Sequence, residues 1–600
     1  FQHTYINGLS HYSKGDNYLV NYITSKGNLS LKVNEDPISP VKLQVDRVKT
    51  KDGLFHLSGK IFTKSSKIVS GSLLLKGRES DKDLTLPTIH FYSNDEETVK
   101  KYGLNRYKYD AIINFDKLNE GLMLDEDVYD LYLILKFDDN LEERLFRVGR
   151  PTIRAKLQLK DVYAKNSQAA AVINPYFTFK QFNLAFEVSK FPVENFDYLR
   201  KAMRWSWLIQ LRNRKRNIWL VGERIYKAQD TGYAFFKYLR KKHPDLEAYY
   251  IIDKNSRESE NVEKLGHVLD YKSKEHIFHT IIAKKVISSH HPDYLYPIRS
   301  NTFKRKIKAD KYFLQHGVMG TKNMVANYGK NATSGFDTDF FMVSSDFEKE
   351  MIVNDFGYSP DEVFVTGLSR FDTLFADDVE NKKQILIIPT WRDWIINDEV
   401  FSQSEYYERY RNLINSKELH KLSKQYGFDI VFCLHPNMQR FTKYFENPSV
   451  RIINQGEVDV QHLIKESSLM ITDYSSVGFD FSFLHKPVIY YQFDRSRFIG
   501  SRPSHLDLDN DLPGEIVNDE SQILNLLEWY AGNGFQMKQE YVERANKFIK
   551  YRDRQSSERI FQVIKNNKSE RKILYNTKLK MIVQGLYSRF RRSKYYFPTM

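Results

Sequence analysis

A chain of 600 residues is too long for one core, so three or four folding units are expected, and its 41% hydrophobic and 14% aromatic content can fill them. No run approaches the roughly 18 to 20 consecutive apolar residues of a membrane-spanning helix, and Phe1-Gln2-His3-Thr4-Tyr5 is neither a signal peptide nor a Met start, so the expectation is a soluble or surface-bound chain, compatible with excision from a longer protein. A lone Cys433 excludes a disulfide framework and a thiolate metal cluster and points to the cytoplasm, while 91 Lys plus Arg against 76 Asp plus Glu, a net charge of +15, points to an anionic partner: nucleic acid, anionic lipid or a phosphate polymer.

Residues 1–155 read as β structure. Short apolar or alternating segments (Leu43 to Val48, Gly71 to Leu75, Leu131 to Leu135) are separated by Gly, Asp and Asn turns, and a small β-sandwich-like domain is expected. Residues 156–216 read as a linker. Within it Tyr198 to Arg216 interleave Leu199, Met203, Trp205, Trp207, Leu208 and Leu211 with Arg200, Lys201, Arg204, Arg212, Arg214, Lys215 and Arg216. At helical spacing this is a basic amphipathic segment, which fits either an anionic membrane surface or a helix packed between domains.

From Asn217 the period changes. The buried-strand run Asn217 to Gly222 is followed by a helical stretch and then by Ala248 to Asp253, and strand and helix alternate to about residue 380. A second alternating series, 381–560, runs through Gln384 to Pro389, Asp429 to Cys433, Leu469 to Asp473 and Pro487 to Tyr491. Two such series predict an α/β pair of doubly wound, Rossmann-like sheets, which bind ligands beyond the carboxyl ends of their strands. The stretch 561–600 is a basic tail, without Asp or Glu after Arg571.

Polar clusters fall where the strand runs end. Gln315-His316-Gly317 follows Tyr312 to Leu314, and an imidazole beside a glycine at a strand mouth suits a general base or a His satisfied within its loop. Pro389-Thr390-Trp391-Arg392, Leu434-His435-Pro436 and Thr472-Asp473-Tyr474-Ser475-Ser476 end three later runs. Arg392 carries the donor fork that matches a diphosphate, His435 either packs on Pro436 or donates to phosphate, and Ser475 and Ser476 either cap a helix or cradle a phosphate. Asp507 to Asp511 reads as a turn, although clustered carboxylates leave a divalent cation open; His290 and His291 point apart on extended backbone, so no metal ligand is assigned.

The ordered set Gln315-His316-Gly317, Thr366 to Asp372, Pro389 to Arg392, His435-Pro436, Thr472 to Ser476 and Pro513-Gly514-Glu515 resembles the CDP-glycerol glycerophosphotransferase family, which includes the teichoic acid glycerol-phosphate and ribitol-phosphate polymerases, over residues 200–560. The resemblance implies a GT-B architecture, a CDP-glycerol or CDP-ribitol donor, a lipid-linked cell-wall polymer as acceptor, and two functional histidines at His316 and His435. The chain departs from those polymerases at Gln315, where Trp is common, and at Gly317, where Ala is common, which bears on the acceptor more than on the chemistry.

On this reading an acceptor hydroxyl attacks the β-phosphorus and CMP leaves, with His316 as base and with Gly317, Arg370, Thr390, Arg392, Thr472, Asp473, Ser475 and Ser476 around the donor. Arg204, Trp205, Trp207, Arg212, Arg214, Lys215 and Arg216 hold the chain to the cytoplasmic face of an anionic membrane. The rivals are a GT-B nucleotide-sugar glycosyltransferase and a catalytically silent polymer-binding protein. Nucleic acid is set aside because no RNP, KH, zinc-finger or aromatic-basic sheet pattern is present.

Overall fold

The structure, a computed structural model, describes residues 12–14, 17–23, 29–33, 41–51, 53–63, 67–80, 82–86, 90–93, 105–120, 124–137, 143–178, 181–332, 334–454 and 457–569. Of the expected basic tail, 561–600, residues 570–600 lie outside them. The protein is a mixed α/β chain with parallel sheets, divided into two compact units. The first runs to Trp205 and includes Ile298–Lys306; the second comprises Ser206–Pro297 and the chain from Ile307.

In the first unit, strand Leu54–Thr63 alternates half-buried and buried residues along its whole length, the period-2 signature of a strand with one face on a core. It pairs antiparallel with Lys42–Lys51 and Asn105–Asn114 in a four-stranded sheet completed by His90–Ser93. A seven-stranded antiparallel sheet contains Ile68–Gly77, Val128–Phe137, Ala170–Phe177 and Leu184–Phe191 among its strands. One apolar cluster takes Leu43, Phe55, Ile61 and Tyr109 from the smaller sheet and Leu75, Leu133, Leu135 and Phe186 from the larger, so the two form a sandwich over a single core. The rings of Phe55 and Phe186 meet edge-on at 4.9 Å across it.

This sandwich corrects the boundary expected at 155. Strands Val162–Lys165, Ala170–Phe177 and Leu184–Phe191 continue the seven-stranded sheet, and a buried run such as Ala170-Ala171-Val172-Ile173 is a central strand and no linker. Only after Phe191 does helix begin, at Val193–Arg204, which buries Phe196, Leu199, Ala202 and Met203.

The second unit holds two parallel sheets. The first contains Trp219–Gly222, Ala248–Ile252, Val268–Asp270, Lys285–Ser288, Asp310–Phe313, Phe340–Val343 and Val363–Val365; numbered along the chain, they lie in the order 3-2-1-4-5-6-7. The second contains Gln384–Ile387, Asp429–Cys433, Arg451–Ile453, Leu469–Thr472, Val488–Tyr491 and Glu515–Val517 in the order 3-2-1-4-5-6. Each reverses direction beside its first strand, the switch point at which doubly wound sheets open a ligand crevice. Trp219–Gly222, Gln384–Ile387 and Leu469–Thr472 are buried throughout, as expected for strands covered on both faces.

The chain then returns to the first sheet. Helix Ser556–Asn566 places Ile560, Phe561 and Ile564 in the core around Trp219 and Tyr312, so a boundary at 560 cuts through this helix. Asp372 receives the N–H groups of Ser556 (2.8 Å) and Ser557 (2.9 Å) at its start. At its end the Lys285 ammonium, partly neutralised by burial that lowers its pKa to about 8, donates to Tyr312 Oη at 2.7 Å and to the carbonyls of Ile564 and Asn567. Negative charge at the first turn and positive charge at the last both favour a helix dipole.

Candidate active site

His316 lies three residues beyond strand Asp310–Phe313. Gln315 just before it holds a left-handed φ of 60°, a conformation costly for a non-glycine residue, and its side chain is fixed by donation to the Met342 carbonyl at 2.6 Å. The His316 ring stacks on His290 with centroids 4.5 Å apart. Its Nδ1 lies 3.2 Å from the Ser289 carbonyl oxygen, which can only accept, so the proton sits on Nδ1 and the Nε2 lone pair is left for another partner. Burial lowers the His316 pKa, with the Asp230 carboxylate opposing it. The ring is therefore neutral at pH 7.

His435, two residues beyond strand Asp429–Cys433, has the opposite tautomer. Its Nδ1 accepts the N–H of Asn437 at 3.2 Å, which places the imidazole proton on Nε2. Burial, then the charges of Lys227, Arg224 and His316, push its pKa down to about 4. The two imidazoles thus share one electrostatic neighbourhood, one offering an acceptor nitrogen and the other a donor.

Two cations near the rings, Arg224 acting on both and Lys227 on His435, were not singled out in the sequence. Arg224 and Lys227 lie in the loop after strand Trp219–Gly222, and three backbone N–H groups of that loop and the following helix turn (Gln229, Asp230, Tyr233, at 3.4, 3.0 and 2.8 Å) converge on buried Glu223. Arg224 is exposed and touches Tyr226 Oη at 3.4 Å; Lys227 pairs with Glu258 at 3.0 Å. The readable signal was two cations within five residues of the first strand's end, where a doubly wound sheet holds phosphate.

Two arginines expected at the donor are engaged in ion pairs within the protein. Arg392 is 1% exposed and spends its fork on Asp494 (2.7 and 3.1 Å), Asp473 (2.8 Å) and the Thr390 carbonyl (2.8 Å). The pairs hold it charged among the rings of Tyr406, Tyr474 and Phe498, with four of its five N–H donors already engaged within the protein. Arg370 is likewise buried: it forks onto Asp480 at 2.8 Å twice, reaches Asp230 at 3.1 Å and donates to the His316 carbonyl at 2.7 Å. It ties the His316 loop to helix Val477–Phe483 of the second sheet and so positions the histidine from behind.

Asp473 and Thr472 are fully buried too. Asp473 accepts from Thr390 N (2.9 Å) and Tyr474 N (2.6 Å), and Thr472 Oγ1 donates to the Ile388 carbonyl at 2.7 Å. The hydroxyls of Thr390 and Ser476 are differently placed. Thr390 Oγ1 has no partner, and Ser476, at the start of its helix, makes no capping bond, whereas Ser475 Oγ accepts Val477 N at 3.3 Å. Gly317 sits against Ser476 so closely that a Cβ there would clash, which explains the glycine by approach of the two sheets' loops and not by φ.

Among the described residues no three His, Cys, Asp or Glu side chains converge as a metal site requires. Asp507 caps helix Leu508–Asp511, Asp509 pairs with Arg495 at 2.6 Å and Asp511 with Lys547 at 2.7 Å. No described helix is long and apolar enough to cross a membrane. Of the basic segment, Arg204, Trp205, Trp207, Arg212, Arg214 and Lys215 are exposed, Leu211 with them, whereas Arg216 pairs with Glu247. The helix breaks at Trp205, so Leu199 and Met203 face the interior, while Trp205, Trp207 and Leu211 present apolar surface.

Residues 37–188 match the TarS beta-glycosyltransferase C-terminal domain 1. The minor teichoic acid biosynthesis protein GgaB of Bacillus subtilis is 30% identical over 367 residues, 58% of this chain and 40% of that protein. The teichoic acid glycerol-phosphate transferase of Staphylococcus aureus is 25% identical over 364 residues, 56% of this chain and 89% of that protein. A solved structure of the wall teichoic acid polymerase TagF is 18% identical, with a TM-score of 0.45 over 62% of this chain and 98% of that one. The chain thus spans well under half of the first of these relatives. Residues 203–566, more than half of the chain, match the description CDP-Glycerol:Poly(glycerophosphate) glycerophosphotransferase, and the chain belongs to that family of transferases.

Proposed function

We propose that the chain moves a glycerol-phosphate or ribitol-phosphate unit from a CDP-alcohol onto a hydroxyl of a lipid-linked cell-wall polymer, with CMP as leaving group, in a cleft between two GT-B halves. The observation that carries this reading is the pair of neutral histidines in opposite tautomers beside Arg224 and Lys227.

The acceptor oxygen forms a bond to the β-phosphorus as the bond from that phosphorus to the α–β bridging oxygen breaks. His316 Nε2 takes the acceptor proton. The His435 Nε2–H donates to a phosphate oxygen, and Arg224 and Lys227 offset the charge that spreads over the equatorial oxygens and the departing CMP. Ser476 completes the donor's polar surroundings. Arg370 and Arg392 hold the loops in place, and positioning of this kind supplies much of the rate in phosphoryl transfer.

The test is purified chain with radiolabelled CDP-glycerol or CDP-ribitol and a lipid-linked acceptor: labelled polymer and CMP are expected in equal amounts. Release of a nucleoside diphosphate from a nucleotide sugar instead would make the protein a glycosyltransferase.

The exposed Trp207 and Leu211 with Arg212, Arg214 and Lys215 support attachment at an anionic membrane face. Vesicles with anionic lipid should bind the chain less as salt rises, and reversing Arg212, Arg214 and Lys215 should release it. Unchanged sedimentation of that variant would remove the membrane from the reading.

A further inference from the structure

A cavity lies in the β-sandwich unit, and no part of the proposed reaction uses it. It measures about 1060 Å³ and is lined by Lys42, Arg147, Arg150, Arg154 and Lys156, with no acidic side chain among the described residues of its wall. Five cations from two chain segments, 41–44 and 146–156, therefore line one hollow.

The floor is built to stay fixed. Residues 149–152 bridge the sandwich's two sheets: Arg150 N donates to the Phe182 carbonyl at 3.0 Å, Thr152 N to the Val45 carbonyl at 2.8 Å and Thr152 Oγ1 to the Asp46 carbonyl at 2.8 Å. Arg150 and Phe182, both in the wall, each hold a left-handed φ of 54°. Strain of this kind in non-glycine residues persists only where the surroundings enforce it, and it gathers at binding sites.

The cations are not equivalent. Asp130 holds Arg147 through two bonds of 2.6 and 2.8 Å, and Lys156 lies 4.0 Å over the Phe182 ring. Lys42, Arg150 and Arg154 are exposed and, among the described residues, meet no carboxylate. Two guanidiniums and an ammonium around a hollow suit several phosphates on one strand. Nucleic-acid bases find little to stack on, because Phe182 is covered by Lys156 and Phe146 packs edge-on against Phe137 at 6.1 Å. What remains between the charges is the half-buried aliphatic surface of Val41 and Ile153, which suits the carbon skeleton of a small polyol.

We infer that this cavity is a second binding site, separate from the histidine pair, for a phosphodiester-linked polyol chain such as the polymer being extended. The inference rests on the proposed polymer chemistry, and binding is read apart from turnover so that either can fail alone. The probe is a fluorescent oligo(glycerol phosphate) of six units titrated with the full chain.

Arg150→Gln with Arg154→Gln should weaken binding about tenfold, the loss of one or two charge-assisted hydrogen bonds, with the unfolding temperature unchanged. Arg154→Gln alone, at an exposed position, is the second variant should the double one misfold. Lys49→Gln with Lys108→Gln removes the same charge from exposed strand positions outside the cavity and should leave the affinity in place.

Equal weakening by both pairs would reduce the effect to net charge and overturn the site. So would no binding by the parent chain, no loss in the cavity variants, equal competition by uncharged polyglycerol, or equal affinity for a six-phosphate DNA strand. Binding at the cavity without any CMP release from CDP-glycerol or CDP-ribitol would sink the transfer reading and leave this site standing.

Discussion

The loops beyond the two parallel sheets use the same residue types in contrasting ways. After the first sheet, Arg224 is exposed and meets no carboxylate among the described residues, and His316 keeps its Nε2 lone pair. After the second, Arg392 is closed in by Asp473 and Asp494, while His435 keeps an unspent Nε2–H and Ser476 makes no capping bond. An arginine at a strand mouth is thus no indicator of chemistry until its partners are known, because two buried carboxylates consume the donors that a phosphate would take.

The strongest attack on this contrast is His316→Ala, which should lower kcat by about 10²- to 10⁴-fold, the range of general-base contributions, with the fold unchanged by circular dichroism. Wild-type turnover would move the base elsewhere. Next, Arg392→Gln leaves Asp473 and Asp494 buried without their counter-ion and should cost about 3–5 kcal/mol of stability, read as a lower denaturant midpoint for the unit that contains it. A stable variant with weakened donor binding would return Arg392 to the site.

His435→Ala should slow the reaction about 100-fold as a lost transition-state donor, and His435→Gln, whose amide also donates, should recover part of that. No recovery would argue against the donor tautomer. Arg224→Gln should raise the KM for the CDP-alcohol about tenfold, as a lost charge-assisted bond does, without moving the unfolding temperature. A fall in stability would make Arg224 structural like its counterpart in the second sheet.

The smallest effect expected is in pH. His316 works as a base only when neutral and its pKa lies below the ordinary 6.5, so kcat/KM should hold from pH 8 down past 6.5 and fall only below it. Stability has the same sign. His435 and the buried His276, which accepts Lys272 N and contacts the Leu295 carbonyl, are both held near 4 by burial. The unfolded chain therefore binds more protons between about 6.5 and 4, and stability present above 6.5 is lost as pH falls through that window. A flat stability profile there would contradict the buried neutral rings.

Much of this was legible in the residues. The period-2 strands of the sandwich, the buried-strand runs of both parallel sheets and the two strand-end histidines rest on local pattern and carry over intact. Hydrophobic period is a property of a few neighbouring residues, and the placing of a ligand site at a switch point follows from connectivity alone. The three strands between Val162 and Phe191 lie beside a basic helical segment in short runs of four to eight residues, and they became a sheet by pairing with Val128–Phe137 and one another.

Tertiary structure alone decided which charges are spent. Asp494 lies 102 residues from Arg392, and Asp480 lies 110 from Arg370, separations at which no spacing rule operates. The tautomers of His316 and His435 were equally out of reach, since each depends on one backbone group, the Ser289 carbonyl or the Asn437 N–H, brought to a ring nitrogen by the fold. Residue types and strand ends could be read from local sequence, but the protonation and pairing that make a side chain a base, a donor or a brace are set by contacts between distant segments.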